Sequence, residues 1–592
     1  MAKLEKQIVY NVLITLAFLV LVLKLFHLQV YEHHKYFQYS EKNRIRRLIL
    51  QPTRGLIYDQ FGNVLVDNQP SYTLSAVPYE CSKNDSATAL LAKILKLPQS
   101  EIRAKLEKSE GPFAPVRIRR DVDFETRVEI EERKLELPGF FFNVEPRRLY
   151  PAGIHAAHLF GYLGQVSRSE LLNRKNHDLQ QGDLVGKKGL EKVYDNFLRG
   201  QIGYNYIEVN ALGREVEDVT FPGERRPRPG NDFYLTIDLR LQRLAENLFK
   251  DKKGGLVLIN VRNGGVLSIC SKPDYNPDLF TKRISGASWR QLVNDPDRPL
   301  YDRMIQSVYP PGSTFKLVLA AAGLETHKCT PKTTSVCNGF LRLGRRSFKC
   351  WKLSGHGEMD LLDAIKHSCN VYFYRLSLKV GVETWADFAR RFGFGKPTGI
   401  DLLGESAGLV PDTKYLDKTY GKGGWTRGLL LNLGIGQGDL LVTPLQMAQF
   451  AMIMANSGKY YQPHLVHKMY DRAAEKMIYF TPREKKVSGV SQETFSILRE
   501  GMYKVVNEAG GTGRASWLPD VTVAGKTGTA QNPHGESHAW YIGFAPYDDP
   551  QIAICVFVEN GGGGGAHAAP IAGKMFRAYF DNLKSSGTIA QR

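Results

Sequence analysis

Cysteine is scarce, at seven residues among 592. That is too few for a disulfide-stapled scaffold, and the odd number leaves at least one thiol unpaired. Glycine (56) and proline (29) stand near ordinary usage, which excludes collagen-like and low-complexity chains. No internal repeat is visible. After about residue 31 no segment is long and apolar enough to cross a membrane. Acidic residues are in deficit: 60 Asp and Glu stand against 79 Lys and Arg, a net charge of +19. Such a charge suits a polyanionic neighbour (nucleic acid, anionic lipid or an acidic wall polymer) and does not choose among them. No nucleic-acid-binding motif accompanies it, so a nucleic-acid role is disfavoured. Against these shortages, 43% of residues are hydrophobic and 11% aromatic, enough for large cores, which excludes overall disorder. The length has room for about four average domains.

Residues 8–23 are apolar except for Asn11 and Thr15, and the pattern continues to Val30. About 20 residues cross a bilayer, so this stretch is long enough, with Lys24 able to snorkel to the interface. No small-x-small cleavage site precedes Tyr31, Glu32, His33 and His34. The segment reads as an uncleaved signal-anchor, with everything after it soluble and tethered. Lys3 and Lys6 lie on one side; Lys35, Lys42, Arg44, Arg46 and Arg47 lie on the other. By count alone the C-terminal side is cytoplasmic, but long domains translocate largely regardless of charge.

Residues 32–229 mix short strand patterns (62–66, 72–77) with helical ones (86–95, 124–134). Residues 221–231 hold three Pro and two Gly and read as a linker. Beyond it come a strand pattern at 233–237 and a helix at 239–249. Two apolar strands follow, 255–260 and 265–271, joined through an Asn-Gly turn. Helical stretches fill the middle. Late strands stand at 521–524 and 552–559, and a final helix starts near Pro570. Strands at both ends with helices between predict an α+β domain with one antiparallel sheet. Three parts result: 1–31, a short tip and the anchor; 32–229, a mixed α/β pedestal; and 230–592, the α+β domain.

Three short motifs carry the chemistry. In Pro-Pro-Gly-Ser-Thr-Phe-Lys, Ser313 and Lys316 are three apart at a predicted helix start, so they share a face. A hydroxyl is a weak nucleophile until a base takes its proton, and a buried lysine with a lowered pKa can be that base. Alone, the pattern is equally an ordinary helix cap and a surface lysine. Ser368-Cys369-Asn370 offers a second hydroxyl to relay a proton and an amide to hold a carbonyl; alone it too is a helix cap. Lys526-Thr527-Gly528-Thr529 follows a predicted strand, where a glycine lets another backbone approach and the lysine and hydroxyls can bind a carboxylate. Alone it reads as a strand-end turn. In this order, Ser-x-x-Lys, Ser-x-Asn and Lys-Thr-Gly form the active-site set of penicillin-binding proteins and class A β-lactamases, with the middle motif lacking the usual Asp.

The chain resembles the class B penicillin-binding proteins over nearly its whole length, and their elongation branch (penicillin-binding protein 2) more than the septal one. The likeness rests on Arg54-Gly55-Leu56-Ile57-Tyr58-Asp59 with Gly62, Arg148-Leu149-Tyr150-Pro151, Gly161-Tyr162-Leu163-Gly164 and Gly189-Leu190-Glu191. It continues through Leu235-Thr236-Ile237-Asp238, Gly434-Ile435-Gly436-Gln437-Gly438 with Thr443-Pro444, and Trp540 to Pro546. Cys350-Trp351 and Gly355-His356-Gly357 point to the elongation branch. The resemblance implies a β-lactamase-like transpeptidase domain that cross-links peptidoglycan stem peptides ending in D-Ala-D-Ala and is trapped by β-lactams. It implies that Ser313 attacks, Lys316 takes the proton, and Ser368 relays it with Lys526 close by. Asn370 orients the substrate, Thr527 and Thr529 around Gly528 hold the donor carboxylate, and the N–H groups of Ser313 and Thr529 form the oxyanion hole. It places residues after the anchor outside the cytoplasmic membrane, and it implies a SEDS-type membrane glycosyltransferase as partner. The rivals are a septal transpeptidase, a DD-carboxypeptidase or β-lactamase using the same serine, and a penicillin sensor or inactive scaffold.

The chemistry needs no cofactor. Yet Cys337, Cys350, His356 and Cys369 cluster around the second motif, and three thiolates with one imidazole suit structural zinc. Some relatives in the elongation branch carry zinc in this region. A Cys337–Cys350 disulfide is the alternative in an oxidising compartment. Cys270 and Cys555 sit in apolar strand patterns and read as plain buried residues.

Overall fold

The structure, a computed structural model, describes residues 2–34, 45–82, 84–109, 111–112, 114–172, 179, 181–209, 215–218, 224–282 and 284–585. Lys35, Lys42 and Arg44 of the charge count, and 221–223 of the linker, lie outside them. Helix α1 (Ala2–Phe26) continues into a π-helical turn over His27–Tyr31. Its 25 residues from Gln7 to Tyr31 contain an 18-residue window with a mean hydropathy of 2.4, none of it buried. At 1.5 Å per residue the whole stretch is about 37 Å of helix, against a hydrocarbon core of about 30 Å. Among the described residues it is the one helix long and apolar enough to cross a membrane.

Contacts group the chain into two units. The smaller joins Met1–Thr53, Gln69–Arg147 and Gly200–Pro229. It has its own core, built from Leu74, Leu91, Ile102, Ile118 and Phe140 among others. The helix Asp85–Leu95 starts where the Asn84 side chain accepts the N–H of Ala87, and it buries Ala87, Leu91 and Leu95 on one face. Val116–Arg119 pairs antiparallel with the end of the long strand Val64–Ala76. Ile45–Leu50, Gly203–Val209 and Glu215–Asp218 form a three-stranded antiparallel sheet.

The larger unit joins Arg54–Asn68, Arg148–Arg199 and Gly230–Arg592. The first two pieces meet in a buried ion network. Glu191, fully buried, accepts Arg54 Nε at 2.6 Å and Arg148 Nε at 2.7 Å. Arg54 Nη2 reaches Asp195 at 2.6 Å, and Arg148 Nη1 donates to the Gly55 carbonyl at 2.8 Å. Two guanidiniums face two carboxylates, so the charges cancel, as burial requires. Burial pushes the Glu191 carboxyl up, but the guanidiniums of Arg148 and Arg54 outweigh it and hold it below its ordinary value.

The catalytic sheet is antiparallel, as the strand patterns predict. It is made by β1 (Gly254–Asn260), β2 (Val266–Lys272), β3 (Ala524–Ala530), β4 (His538–Ala545) and β5 (Ile552–Val558), in the order β2-β1-β5-β4-β3. Every residue of central β5 is buried, which an uninterrupted apolar run demands of a strand covered on both faces. Between β2 and β3 the chain forms α2 (Lys316–Glu325), α3 (Leu361–Lys366), α4 (Asn370–Val380), α5 (Pro444–Ala455) and α6 (Gln492–Asn507). After β5 it ends in α7 (Ala569–Ser585). All twelve residues of α5 are buried, and its start is fixed by a capping box between Thr443 and Gln446. Both α5 and α7 pack on β4 and β5, and α6 packs on β3.

The strand expected over 521–524 runs instead over Ala524–Ala530. The Lys-Thr-Gly motif therefore lies inside an edge strand rather than in a turn after it. Pairing with buried β4, Lys526 opposite Ile542 and Gly528 opposite Trp540, outweighs the weak strand preference of its own residues.

Candidate active site

Ser313 lies in a 3-10 turn, Gly312–Phe315, that runs straight into α2. It is not the side-chain helix cap that its position suggested: no side chain caps this turn or α2, and the chain turns left-handed at Gly312 before it enters the helix. The spacing survives: Lys316 follows one turn later, and its N–H donates to the Ser313 carbonyl. Lys316 is fully buried. Its Nζ donates to the Ser368 carbonyl at 2.8 Å and to Asn370 Oδ1 at 2.7 Å, with Ser368 Oγ farther off at 3.3 Å.

Ser368 owes its place to the way α3 ends. The N–H of Ser368 donates to the Ile365 carbonyl and that of Cys369 to the Ala364 carbonyl, at 3.2 and 3.0 Å. This is a Schellman motif, whose residue after the C-cap must turn left-handed. Ser368 has φ +53°, in a position where glycine is usual. Cys369 then caps α4, and Asn370 is its first residue.

Lys526, on β3, is also fully buried and donates to Ser368 Oγ at 3.0 Å and to the Thr527 carbonyl at 2.9 Å. Two lysine amines, 210 positions apart in sequence, thus share one serine hydroxyl. Burial lowers both: Lys316 to about 8, and Lys526 well below its ordinary value, with the nearby Lys316 charge adding to the effect. Two ammonium groups do not coexist in so dry a place, so at most one is charged near neutrality.

The third motif reaches the first through close backbone contact. Gly312 has φ +57°, and a Cβ there would stand 2.7 Å from the Thr529 carbonyl oxygen. Gly436 (φ +75°) approaches Gly312 more closely still, and the Gly312 N–H donates to its carbonyl at 2.8 Å. The Thr529 carbonyl takes the Gln437 amide at 3.3 Å, off the open edge of the sheet. In a strand the N–H of a residue points to the same side as its C=O, so the Thr529 N–H also faces outward, toward the Ser313 turn. Thr529 is exposed, whereas Thr527 is buried and shares a hydrogen bond with Thr512 at 2.7 Å.

A second cluster flanks the first. The donor atoms of Cys337, Cys350, His356 and Cys369 all lie within 4.8 Å of one another. His356 Nδ1 is 3.5 Å from Cys350 Sγ and 3.6 Å from Cys337 Sγ. Of the Cys350/Cys369 pair, Cys350 is the thiol held low, because Cys369 donates to it; Cys369 is pushed up by the same bond and by burial. Cys337 and Cys350 are free thiols, with no disulfide between them in this structure. Cys270 and Cys555 are buried in β2 and β5, as expected of plain apolar residues.

The sequence model for the penicillin-binding protein transpeptidase domain matches residues 254–577, and that for the penicillin-binding protein dimerisation domain matches 49–235. The chain belongs to the penicillin-binding protein transpeptidase family. Peptidoglycan D,D-transpeptidase MrdA of Haemophilus influenzae is 33% identical over 95% of this chain and 89% of the relative. The protein of the same name from Acinetobacter baumannii is 35% identical over 95% and 86%. Among solved structures, penicillin-binding protein PBP2 of Helicobacter pylori in complex with MreC superposes with a TM-score of 0.79 at 30% identity, over 90% of this chain and all of that one. Pseudomonas aeruginosa PBP2 in complex with WCK 5153 does so at 0.68, also at 30% identity, over 90% and 96%.

Sequence reasoning left several residues of this family site without a role. Gly436 and Gln437 stand in a quoted motif, but nothing local shows that they brace Gly312 and Thr529. Thr512 carries no pattern at all, and Trp351 stands out only beside Cys350 as a family likeness; their contacts are legible only in three dimensions.

Proposed function

We propose that this protein is a serine-type peptidoglycan D,D-transpeptidase of cell elongation, acting through Ser313. The observation that carries the reading is the convergence of two buried, pKa-lowered amines on the Ser368 hydroxyl, that of Lys316, one helical turn after Ser313, and that of Lys526, in a chain of this family. As free base, Lys316 donates two protons to its two short acceptors and keeps a lone pair for the Ser313 hydroxyl. Ser313 Oγ then attacks the carbonyl of the penultimate D-Ala, and the oxyanion is held by the N–H groups of Ser313 and Thr529. When the C–N bond breaks, the lysine proton passes through Ser368 to the departing D-alanine amine, leaving an ester on Ser313. Exposed Thr529 receives the donor carboxylate, with Thr527 and Gly528 shaping the edge behind it. Asn370 orients the stem peptide. An amine of a neighbouring stem attacks the ester, forms the cross-link and restores Ser313. A β-lactam opens at the same serine, and its leaving amine stays tethered.

The thiol cluster supports structural zinc. Zinc bonds of about 2.3 Å to sulfur and about 2.05 Å to nitrogen put tetrahedral neighbours about 3.5 Å apart, close to the two Cys–His356 separations. Cys337, Cys350, His356 and Cys369 would hold the ion, which supplies no chemistry to the reaction and braces the loop carrying Ser368 and Asn370. The apolar α1 supports a single-pass anchor in the cytoplasmic membrane, with the catalytic unit outside, where stem peptides are. A membrane glycosyltransferase of the SEDS type fits as partner: one solved relative is described as a peptidoglycan synthase complex that coordinates polymerization and crosslinking.

The test is intact-mass measurement after incubation with penicillin, with peptide mapping, followed by product analysis on D-Ala-D-Ala stems. A long-lived adduct on the Ser313 peptide, absent from Ser313→Ala, and cross-linked dimers are expected. Release of D-alanine without dimers would make the protein a carboxypeptidase instead.

A further inference from the structure

A helix end leaves carbonyls without an intrahelical partner. At the end of α3 the Schellman pair takes those of Ala364 and Ile365. The His367 carbonyl is met from outside, by the indole N–H of Trp351 at 3.0 Å. The next carbonyl, that of Ser368, accepts Lys316 at 2.8 Å. Each of the two peptide groups flanking the Ser368 Cα therefore makes two hydrogen bonds, its N–H to the end of α3 and its carbonyl to one of these outside donors. Any rotation that takes Ser368 out of its left-handed conformation must break one of these bonds. That conformation costs a non-glycine residue about 1–2 kcal/mol and persists only where its surroundings over-determine it.

Core packing does not explain the indole. The Trp351 side chain is 58% exposed, and its ring lies edge-on to His356 at 5.2 Å. Its neighbour Cys350 reaches Cys369, on the other side of Ser368. Two consecutive residues thus grip the loop on both sides of the serine.

We propose that Trp351 is a positioning residue for acyl transfer: through the His367 carbonyl, its indole N–H keeps the Ser368 hydroxyl between Lys316 and Lys526. Trp351 touches neither the reacting serine nor any group assigned to substrate, so its effect falls on the chemical step and not on binding. The inference rests on the acyl-transfer reading above.

Trp351→Phe keeps an aromatic ring and deletes the N–H. Acylation of the full-length protein by a fluorescent penicillin, followed over a range of concentrations, separates the dissociation constant from the first-order acylation constant. The amplitude counts folded protein, so any misfolding lowers the amplitude without altering the rate. The first-order constant is expected to fall roughly two- to twelvefold, the worth of one hydrogen bond, with the dissociation constant unchanged. An unchanged first-order constant overturns the inference. A loss confined to the dissociation constant overturns it too, and makes Trp351 a substrate platform. A wild-type protein that takes up no label ends the acyl-transfer reading itself; a normal wild type beside an equally fast Trp351→Phe ends the inference alone.

Discussion

The hydrogen bond from Lys316 to Asn370 offers a direct test of the base. Lys316 is lowered to about 8, and only its uncharged form can take a proton from Ser313. The free-base fraction is about 1% at pH 6, about 9% at pH 7 and half at pH 8, so acylation should rise roughly ninetyfold from pH 6 to pH 9 and then level. Asn370→Asp keeps the shape of the side chain and replaces the amide oxygen, 2.7 Å from Nζ, with a carboxylate. An opposite charge this close raises an amine pKa by about 1–3 units. The rising limb should move from near pH 8 to between about pH 9 and 11, and acylation at pH 7 should slow by about ten- to a thousandfold. Stopped-flow acylation with a fluorescent penicillin, from pH 6 to 11, reads both. A variant that loses rate evenly at every pH, with its limb unmoved, would show that Lys316 is not the titrating base.

Gly312→Ala would set a methyl 2.7 Å from the Thr529 carbonyl at a residue with φ +57°, and the turn must move off β3; acylation should fall about a hundredfold, and a normal rate would refute the close approach. Glu191→Gln leaves two buried guanidiniums short of a counter-charge and should cost about 3–5 kcal/mol in urea unfolding. Because the folded carboxyl titrates below its ordinary value, its contribution is present above about pH 4.3 and is lost as the pH falls, so wild type and variant should converge in acid. Elemental analysis of wild type should find about one zinc per chain and Cys369→Ser almost none, with slower acylation; equal metal content would refute the zinc assignment.

The chain's hydrophobic pattern shows β1, β2 and β5, which are apolar runs, but not β4, whose residues are just as buried. It shows the anchor for the same reason of composition. It shows Lys526-Thr527-Gly528-Thr529 as a motif but misplaces it against the strand, since tertiary pairing rather than local preference sets the edge. Ser313, Ser368, Asn370 and the two lysines stand out by spacing and by likeness. Their shared hydrogen bonds do not, because 158 positions separate Ser368 from Lys526. The Arg54–Glu191 bond spans 137 positions and joins two quoted motifs that nothing local connects. For the same reason a boundary drawn at the proline-rich linker cannot show that Arg54–Asn68 and Arg148–Arg199 share a core with Gly230–Arg592. Ile57, Leu65, Phe160 and Leu190 from those early pieces are buried in it.

Ser368 stops a helix at a backbone position that glycine would occupy more comfortably, by about 1 kcal/mol. Ser368→Gly would relieve that backbone conformation but take the Oγ acceptor from the buried Lys526 amine, and no cross-linking would be left. A growing wall keeps the serine, so this one turn is where backbone ease and turnover compete.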